Sequence, residues 1–400
     1  MHVVVLGAGV VGITTAYYLS ERGHHVTVVD RADDVASGAS GGNGAQLSYS
    51  FTDAMASPAL LSKLPGILAG LNPAFHVRPP INTQLLRWGL GFLRQCTRTR
   101  FRDNTVAVLQ LALRSGQLMT DLRARTSLEF SHRRAAKLVM IDGLSALRDA
   151  TEICELKNCY GCDARIITMP EAVDIEPALN LMTNDYFGAV YSESDELGDP
   201  KVFSTRLRQW LADQYNTEFL MNTGVREITT SGGRLSTVET GQGSLKPDAV
   251  VVCLGAWSHG LLRKLGIITN IYPMRGYSVS LPSIETSNSV SITDPASKTV
   301  FSRLGDQVRI AGFADFVGYR TTRDETRIGT LFDMARRTAP KIADFSATSV
   351  NPWGGFRPMT PNSQPLVGKS AIDGVHLNTG HGMLGWTLAC VSGDKVAAGV

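Results

Sequence analysis

The run HVVVLGAGVVGITTAYYLSERGHHVTVVD, residues 2–30, constrains this chain more than any other stretch. Its uninterrupted apolar opening predicts a strand covered on both faces. Apolar residues at helical spacing follow and stop at Gly23, and a second apolar run ends at Asp30. Gly7, Gly9 and Gly12 sit between strand and helix as G-x-G-x-x-G. Gly7 allows the tight turn, Gly9 lets backbone approach a pyrophosphate, and Gly12 lets the helix pack closely on the strand. Val10 and Val11 open the helix, whose N-terminus favours negative charge. Asp30, with Arg31 after it, stands where a carboxylate takes a ribose hydroxyl pair. The unit binds a dinucleotide, and by itself it leaves NAD and FAD both open.

A second glycine run, ASGASGGNGAQLS at residues 36–48, follows almost at once. A plain NAD domain would continue with another helix. Small residues instead permit close backbone approach, so Ser40, Gly42 and Gly44 are candidates to line a ligand. Asn43 and Gln46 offer amide hydrogen bonds that could hold a flat heterocycle or merely shape the loop. This segment selects FAD.

The remaining pattern predicts helices from Thr83 to about Arg125 and over LSALRDATEICELKN and KVFSTRLRQWLADQ. Strands are predicted at KLVMI, TEFLMNTGV and DAVVVCLG, with a hairpin turning at Gly232 and Gly233. Residues 271–350 read as strand-rich, and the end reads as strand, glycine turn and helix. Nucleotide-type signals at the start, middle and end imply two domains that each return to the chain. The fold class is α/β (α+β, two-domain): a Rossmann-type FAD-binding domain interleaved with a substrate domain on a mainly antiparallel sheet with helices. The boundaries drawn are 1–83, 192–268 and 353–400 for FAD, and 84–191 and 269–352 for substrate.

A net charge of +3 is too small and dispersed to argue for nucleic acid. A buried strand from residue 2 leaves no room for a signal peptide, which predicts a cytoplasmic protein. Cys159 and Cys162 form a CxxC, yet no second pair or His-x-x-x-His accompanies it, so incidental thiols are expected and no metal.

Together, residues 2–31, SGASGGNGAQLS, GGFRPMTPNSQPLVG and LNTGHGMLGWTLACVSG make the chain resemble the D-amino acid dehydrogenase small-subunit family. That family belongs to the FAD-dependent amine oxidoreductases, with glycine oxidase and sarcosine oxidase. SDELGDPKVFS, IEPAL and YPMRGYSVSLP match the dehydrogenase branch better than the oxidases. The family's Asp after Thr-Pro is Asn362 here. The chain ends at Val400, so the resemblance implies a further C-terminal tail.

The resemblance implies that Ser40 to Gln46 line the flavin ring and phosphate arm. Val225 would contact the adenine, with Gly255 and Trp257 beside the adenosine part. Gly380, His381, Gly382 and Met383 would bring backbone N–H groups and a helix N-terminus to the flavin N1 side, where reduced flavin carries negative charge. Arg357, between Phe356 and Pro358, suits bidentate carboxylate binding and is expected to anchor the substrate; a protein acid is the alternative partner. Tyr277 is read as a second carboxylate donor or a lid, Tyr49 as a weaker candidate and Arg275 as structural; His381 is read as shaping the turn, with tuning of flavin or amine as the alternative. Glycine stands at 355, near where sarcosine oxidases carry a tethering cysteine, so non-covalent FAD is implied.

The implied reaction is oxidative deamination of a D-amino acid by hydride transfer from Cα to flavin N5. Electrons would then pass to a quinone, another respiratory acceptor or oxygen. An oxygen-using oxidase of glycine, sarcosine or another N-substituted amino acid is one alternative, and a non-catalytic flavin-binding protein another. Residues 83–102 place Leu85, Trp88 and Phe92 on one helical stripe and Arg87, Arg94 and Arg98 on another. This suits either peripheral association with the inner face of the cytoplasmic membrane or packing on the substrate domain.

Overall fold

A computed structural model describes residues 1–78, 82–322 and 324–400 of the chain. The opening run forms the strand His2–Leu6, the helix Val10–Glu21 and the strand His25–Val29. His2–Leu6 is central in a six-stranded sheet, between His25–Val29 and Ala249–Val252. Glu218–Leu220 closes one edge, and Val375–Thr379 then Leu366–Lys369 the other. All are parallel except Leu366–Lys369.

Both faces of this sheet are buried, which is why its strands read as continuous apolar runs. Val3 and Val5 pack with Ile13, Leu19 and Cys390 on one side. Val4 and Leu6 pack with Ile228, Val238 and Leu262 on the other. The hairpin predicted at Gly232–Gly233 forms between Val225–Ser231 and Arg234–Thr240.

The second sheet has nine strands. Its order is Asn351–Met359, Tyr272–Pro282, Gln307–Phe316, Thr299–Leu304, Ser291–Asp294, Lys137–Ile141, Gly188–Ser192 and Arg165–Ile167, with Phe75–Val77 beside Gln307–Phe316. Most pairs are antiparallel. One face is apolar: Tyr277, Val279, Phe301, Ile310, Ile292 and Leu138 pack under the helix Glu325–Thr338. The sequence reading missed that helix, because its apolar residues are sparse and only Ile328, Leu331, Ala335 and Thr338 are buried along its inner side. The other face is polar, carrying Ser278, Ser280, Arg309, Ser302, Ser291 and Lys137.

Two further differences follow from backbone geometry. TEFLMNTGV is a strand only over Glu218–Leu220. Asn222 then turns the chain at φ 54, and Thr223 N–H donates to the Asp30 carbonyl at 2.8 Å, delivering Val225 next to the nucleotide loop. At the end of the chain, turns occupy residues 382–388 and the helix begins at Ala389, so no helix N-terminus lies at Met383.

The helices Thr83–Gln95 and Arg98–Thr126 are separated at Thr97, whose side chain caps the second by accepting from Arg100 N–H. Trp88 and Phe92 pack inward on Tyr272, Met274 and Met359, and Trp88 Nε1 donates to the Met359 carbonyl at 2.9 Å.

Candidate active site

One cavity of about 1590 Å³ runs between the six-stranded sheet and the polar face of the nine-stranded sheet. Gly7, Gly9, Val10, Val11, Asp30, Arg31, Val225, Gly255 and Trp257 line one end. Gly9 caps the helix Val10–Glu21 with no side-chain acceptor, leaving N–H groups for an anion. At Gly7, φ is +106 and an added Cβ would lie 2.6 Å from the Cys253 carbonyl oxygen. Gly12 is outside the lining, and a Cβ there would meet the Gly7 carbonyl oxygen at 1.8 Å, so its part is packing. Asp30 accepts backbone N–H bonds from Ala8 (2.7 Å) and Ala32 (2.9 Å), clamping the turns on either side of it. The Arg31 guanidinium stacks 4.4 Å over the Trp257 ring.

Ser40, Gly42, Asn43, Gly44 and Gln46 all line the cavity, and the loop carrying them is fastened to the polar sheet face. Ser278 donates to the Gly42 carbonyl (2.8 Å), Arg309 to that of Asn43 (3.2 Å) and Ser302 to that of Gly44 (2.7 Å). The Gln46 amide that the sequence offered to a heterocycle is engaged within the protein at both ends, and the Asn43 amide at its oxygen. Asn43 Oδ1 accepts from Ala45 N–H, and Gln46 donates to Ser291 and Thr293 while its Oε1 accepts from Lys137. Ser40 Oγ accepts from Val10 N–H at 3.1 Å, joining the two glycine runs.

The sequence reading passed over Lys137, which is 1% exposed and lines the same cavity. Burial lowers its amine to about 8 against the pull of Asp195, while burial pushes the Asp195 carboxyl up to about 6. Trp353 was also missed. Its indole is wedged between two glycines: a Cβ would come within 2.3 Å of it at Gly42 and 2.1 Å at Gly355. Small hydroxyl residues alternating with apolar ones in YSVSLP and FSRL were the available signal for the loop's seat.

At the other end, Arg357 reaches into the cavity from the strand Asn351–Met359. Its Nη1 donates to the Phe313 carbonyl at 2.6 Å. Among the described residues, Nε and Nη2 have no hydrogen-bond partner and no carboxylate lies within ion-pair distance. Burial lowers this guanidinium to about 10, with Asp315 opposing. The arrangement presents an unneutralised cation to the cavity.

Tyr277 lines the cavity, and its hydroxyl donates to Asp315 Oδ2 at 3.0 Å. Tyr49 is outside the lining: its hydroxyl donates to Glu196 at 3.0 Å, and its ring lies against Gly116. Arg275 donates to the carbonyls of Arg320 and Thr322, consistent with a structural part. His381, Gly382 and Met383 line the cavity, while Gly380 turns behind them at φ +77. Gly382 N–H donates to the Pro358 carbonyl at 3.0 Å, so this turn is tied to the strand that carries Arg357. His381 is 3% exposed, burial lowers it to about 3, and its Nε2 has no hydrogen-bond partner.

These residues fit a bound FAD. The glycine cradle and helix N-terminus suit its pyrophosphate, and the buried Nε2 of His381 has no polar partner among the described residues.

Comparison with known proteins agrees. A family model described as FAD dependent oxidoreductase matches residues 2–398. D-amino acid dehydrogenase 2 of Ralstonia nicotianae is 37% identical, covering 99% of this chain and 96% of that protein. The D-amino acid dehydrogenase of Vibrio vulnificus is 33% identical, over 99% and 95%. Glycine oxidase from Geobacillus kaustophilus superposes with a TM-score of 0.77 at 19% identity, over 99% of this chain and 93% of that one. L-proline dehydrogenase from P. horikoshii gives 0.73 at 20%, over 99% and 92%. At these identities, the likeness to the solved structures concerns the fold.

Proposed function

This chain belongs to the FAD-dependent oxidoreductase family, and on that premise we propose that it oxidises a D-amino acid to its imino acid. Water then hydrolyses the imino acid to a 2-keto acid and ammonia. The observation carrying this reading is Arg357, a buried guanidinium open to the cavity on one edge and unpaired with any carboxylate among the described residues. The D configuration rests on the relatives that carry that name at 33–37% identity.

FAD, when bound, supplies two-electron acceptance of the substrate's α-hydrogen as hydride. The protein's part is binding and alignment. Arg357 takes the substrate carboxylate through its free edge, and the Phe313 carbonyl keeps that edge in place. Met274, Phe313 and Ala314 give the surrounding wall an apolar surface that excludes water. His381 stays neutral and offers one hydrogen-bonding nitrogen without competing for the carboxylate. Trp353 packs over Gly355, and neither side chain is a nucleophile, which supports a non-covalent cofactor.

We assign FAD to the six-stranded sheet and its hairpin, and substrate to the nine-stranded sheet. Phe75–Val77 and Asn351–Met359 go with the latter because they pair in it.

The test is anaerobic bleaching of the yellow protein by D-amino acids, L-amino acids, sarcosine and proline. Bleaching by L-substrates alone would overturn the reading. Arg357→Lys should weaken substrate binding about 10-fold or more, the loss of one charge-assisted bond at ~1.5–3 kcal/mol, and leave the colour. Reoxidation by oxygen compared with a soluble quinone separates the oxidase from the dehydrogenase.

For the acceptor, we favour a membrane quinone reached by peripheral docking. No helix among the described residues is long and apolar enough to cross a membrane. The helix Thr83–Gln95 turns Leu86, Leu90 and Leu93 to solvent beside exposed Arg87 and Arg94. Leu61, Leu68 and Leu71 are exposed on and just after the helix Pro58–Leu68. Leucines flanked by arginines suit an anionic lipid surface.

A further inference from the structure

Phe313, whose carbonyl holds Arg357, has an uncommon backbone. Its φ is +63, the left-handed region that bulky residues avoid. The pairing explains how it arises. Arg275 is opposite Asp315 and Tyr277 opposite Gly312, so Gly276 faces two residues, Phe313 and Ala314. Phe313 belongs to a β-bulge, a device that re-aims backbone groups next to sites.

Several contacts hold it there. The Phe313 ring is 2% exposed, and the Arg327 guanidinium lies 4.3 Å over it. Arg327 is fixed in turn by both oxygens of Asp315, at 2.9 and 2.7 Å, and Asp315 also accepts the Tyr277 hydroxyl. Beyond the bulge, Ala314 N–H donates to the Ala74 carbonyl at 3.0 Å. On the opposite strand, the Arg357 guanidinium lies against Gly276, where a Cβ would come within 2.5 Å of Cζ. Glycine there and the bulge across from it therefore define one seat for the guanidinium.

We propose that Phe313 is a positioning residue for the substrate carboxylate. Its left-handed backbone aims a carbonyl that engages Arg357 Nη1, so that Nε and Nη2 face the substrate in one orientation, and Tyr277, Asp315 and Arg327 clamp the bulge. This rests on the reading that Arg357 receives the carboxylate. An unfavourable backbone conformation persists only where its surroundings over-determine it, and such places cluster at ligand clamps. Because Arg357 sets where the α-carbon lies, loosening its seat lowers the rate of the bound complex as well as affinity.

The experiment uses the FAD-loaded enzyme, with propionate as a carboxylate that has no amine to oxidise and D-alanine as substrate. Propionate affinity is read from the change in flavin absorbance, and the bleaching rate is read at saturating D-alanine. Phe313→Ala should weaken propionate about 10-fold and slow bleaching, with flavin content unchanged. In an Arg357→Lys background, it should change propionate affinity less than 2-fold, because the seat then has nothing to position. Arg327→Lys, which keeps the charge and loses the fork, should show the same dependence at about 3-fold and serves if Phe313→Ala does not fold. Equal effects in both backgrounds, or unchanged affinity in either variant, overturn the proposal and leave the Arg357 reading standing. Unchanged propionate affinity in Arg357→Lys alone overturns the reading beneath it.

Discussion

The Ser302 hydroxyl donates to the Gly44 carbonyl at 2.7 Å, joining a strand of the nine-stranded sheet to the loop behind the nucleotide motif. Ser278 and Arg309 repeat this at Gly42 and Asn43, so three successive loop carbonyls rest on one sheet face. Close approach is the reason for the glycines: a Cβ at Gly44 would lie 3.0 Å from Val300 Cγ2. The second glycine run is thus the place where the two sheets are fastened around the cavity.

Gly42→Ala should displace Trp353, whose ring lies 2.3 Å from the added carbon. Overpacking of this kind costs about 1–3 kcal/mol, and the purified variant should hold less FAD. Adding Trp353→Ala should restore flavin content by making room. Full FAD occupancy in Gly42→Ala alone would show that the wedge does not shape the seat.

Tyr277→Phe separates two parts that a cavity tyrosine can play. Its hydroxyl is on Asp315, so the variant should lose about 0.5–1.5 kcal/mol of stability in urea unfolding. Affinity for D-alanine should change less than about 3-fold, under 0.7 kcal/mol. A loss of 10-fold or more would place the hydroxyl on the substrate.

His381 ties stability to acid. An ordinary histidine protonates near 6.5, whereas burial lowers His381 to about 3. The unfolded chain therefore binds a proton below pH 6.5 that the folded chain refuses. The stabilisation is fully present above pH 6.5 and is lost as pH falls towards 3, at up to about 1.4 kcal/mol per pH unit. Urea unfolding of His381→Gln between pH 4.5 and 7 should show a shallower acid slope. An identical slope would assign the acid sensitivity to other groups.

Leu86, Leu90 and Leu93 provide the membrane test. Changing all three to serine should cut sedimentation with anionic vesicles at least 10-fold, since burying one leucine is worth on the order of 1.5 kcal/mol. Flavin content and bleaching by D-alanine should not move, because these side chains face solvent. Equal sedimentation of parent and variant would remove this face from consideration.

What the residues show without the fold is everything set by local geometry. G-x-G-x-x-G after an apolar run specifies a turn, a helix N-terminus and a close packing point within thirty residues, and His2–Leu6, Val10–Glu21 and His25–Val29 stand as the period predicts. That Arg357 would line the cavity was legible too, because a lone arginine between Phe356 and Pro358 is unusual in an apolar stretch. Contacts between separate strands and loops decided the rest. Gln46 looked free for a ligand until Ser291, Thr293 and Lys137 were brought to it. Tyr277 looked like a substrate donor until the bulge put Asp315 at its hydroxyl. A hydrogen bond is directional and short, so which of two nearby acceptors receives a side chain depends on strand register and on one extra residue. Spacing along the chain carries no information about either.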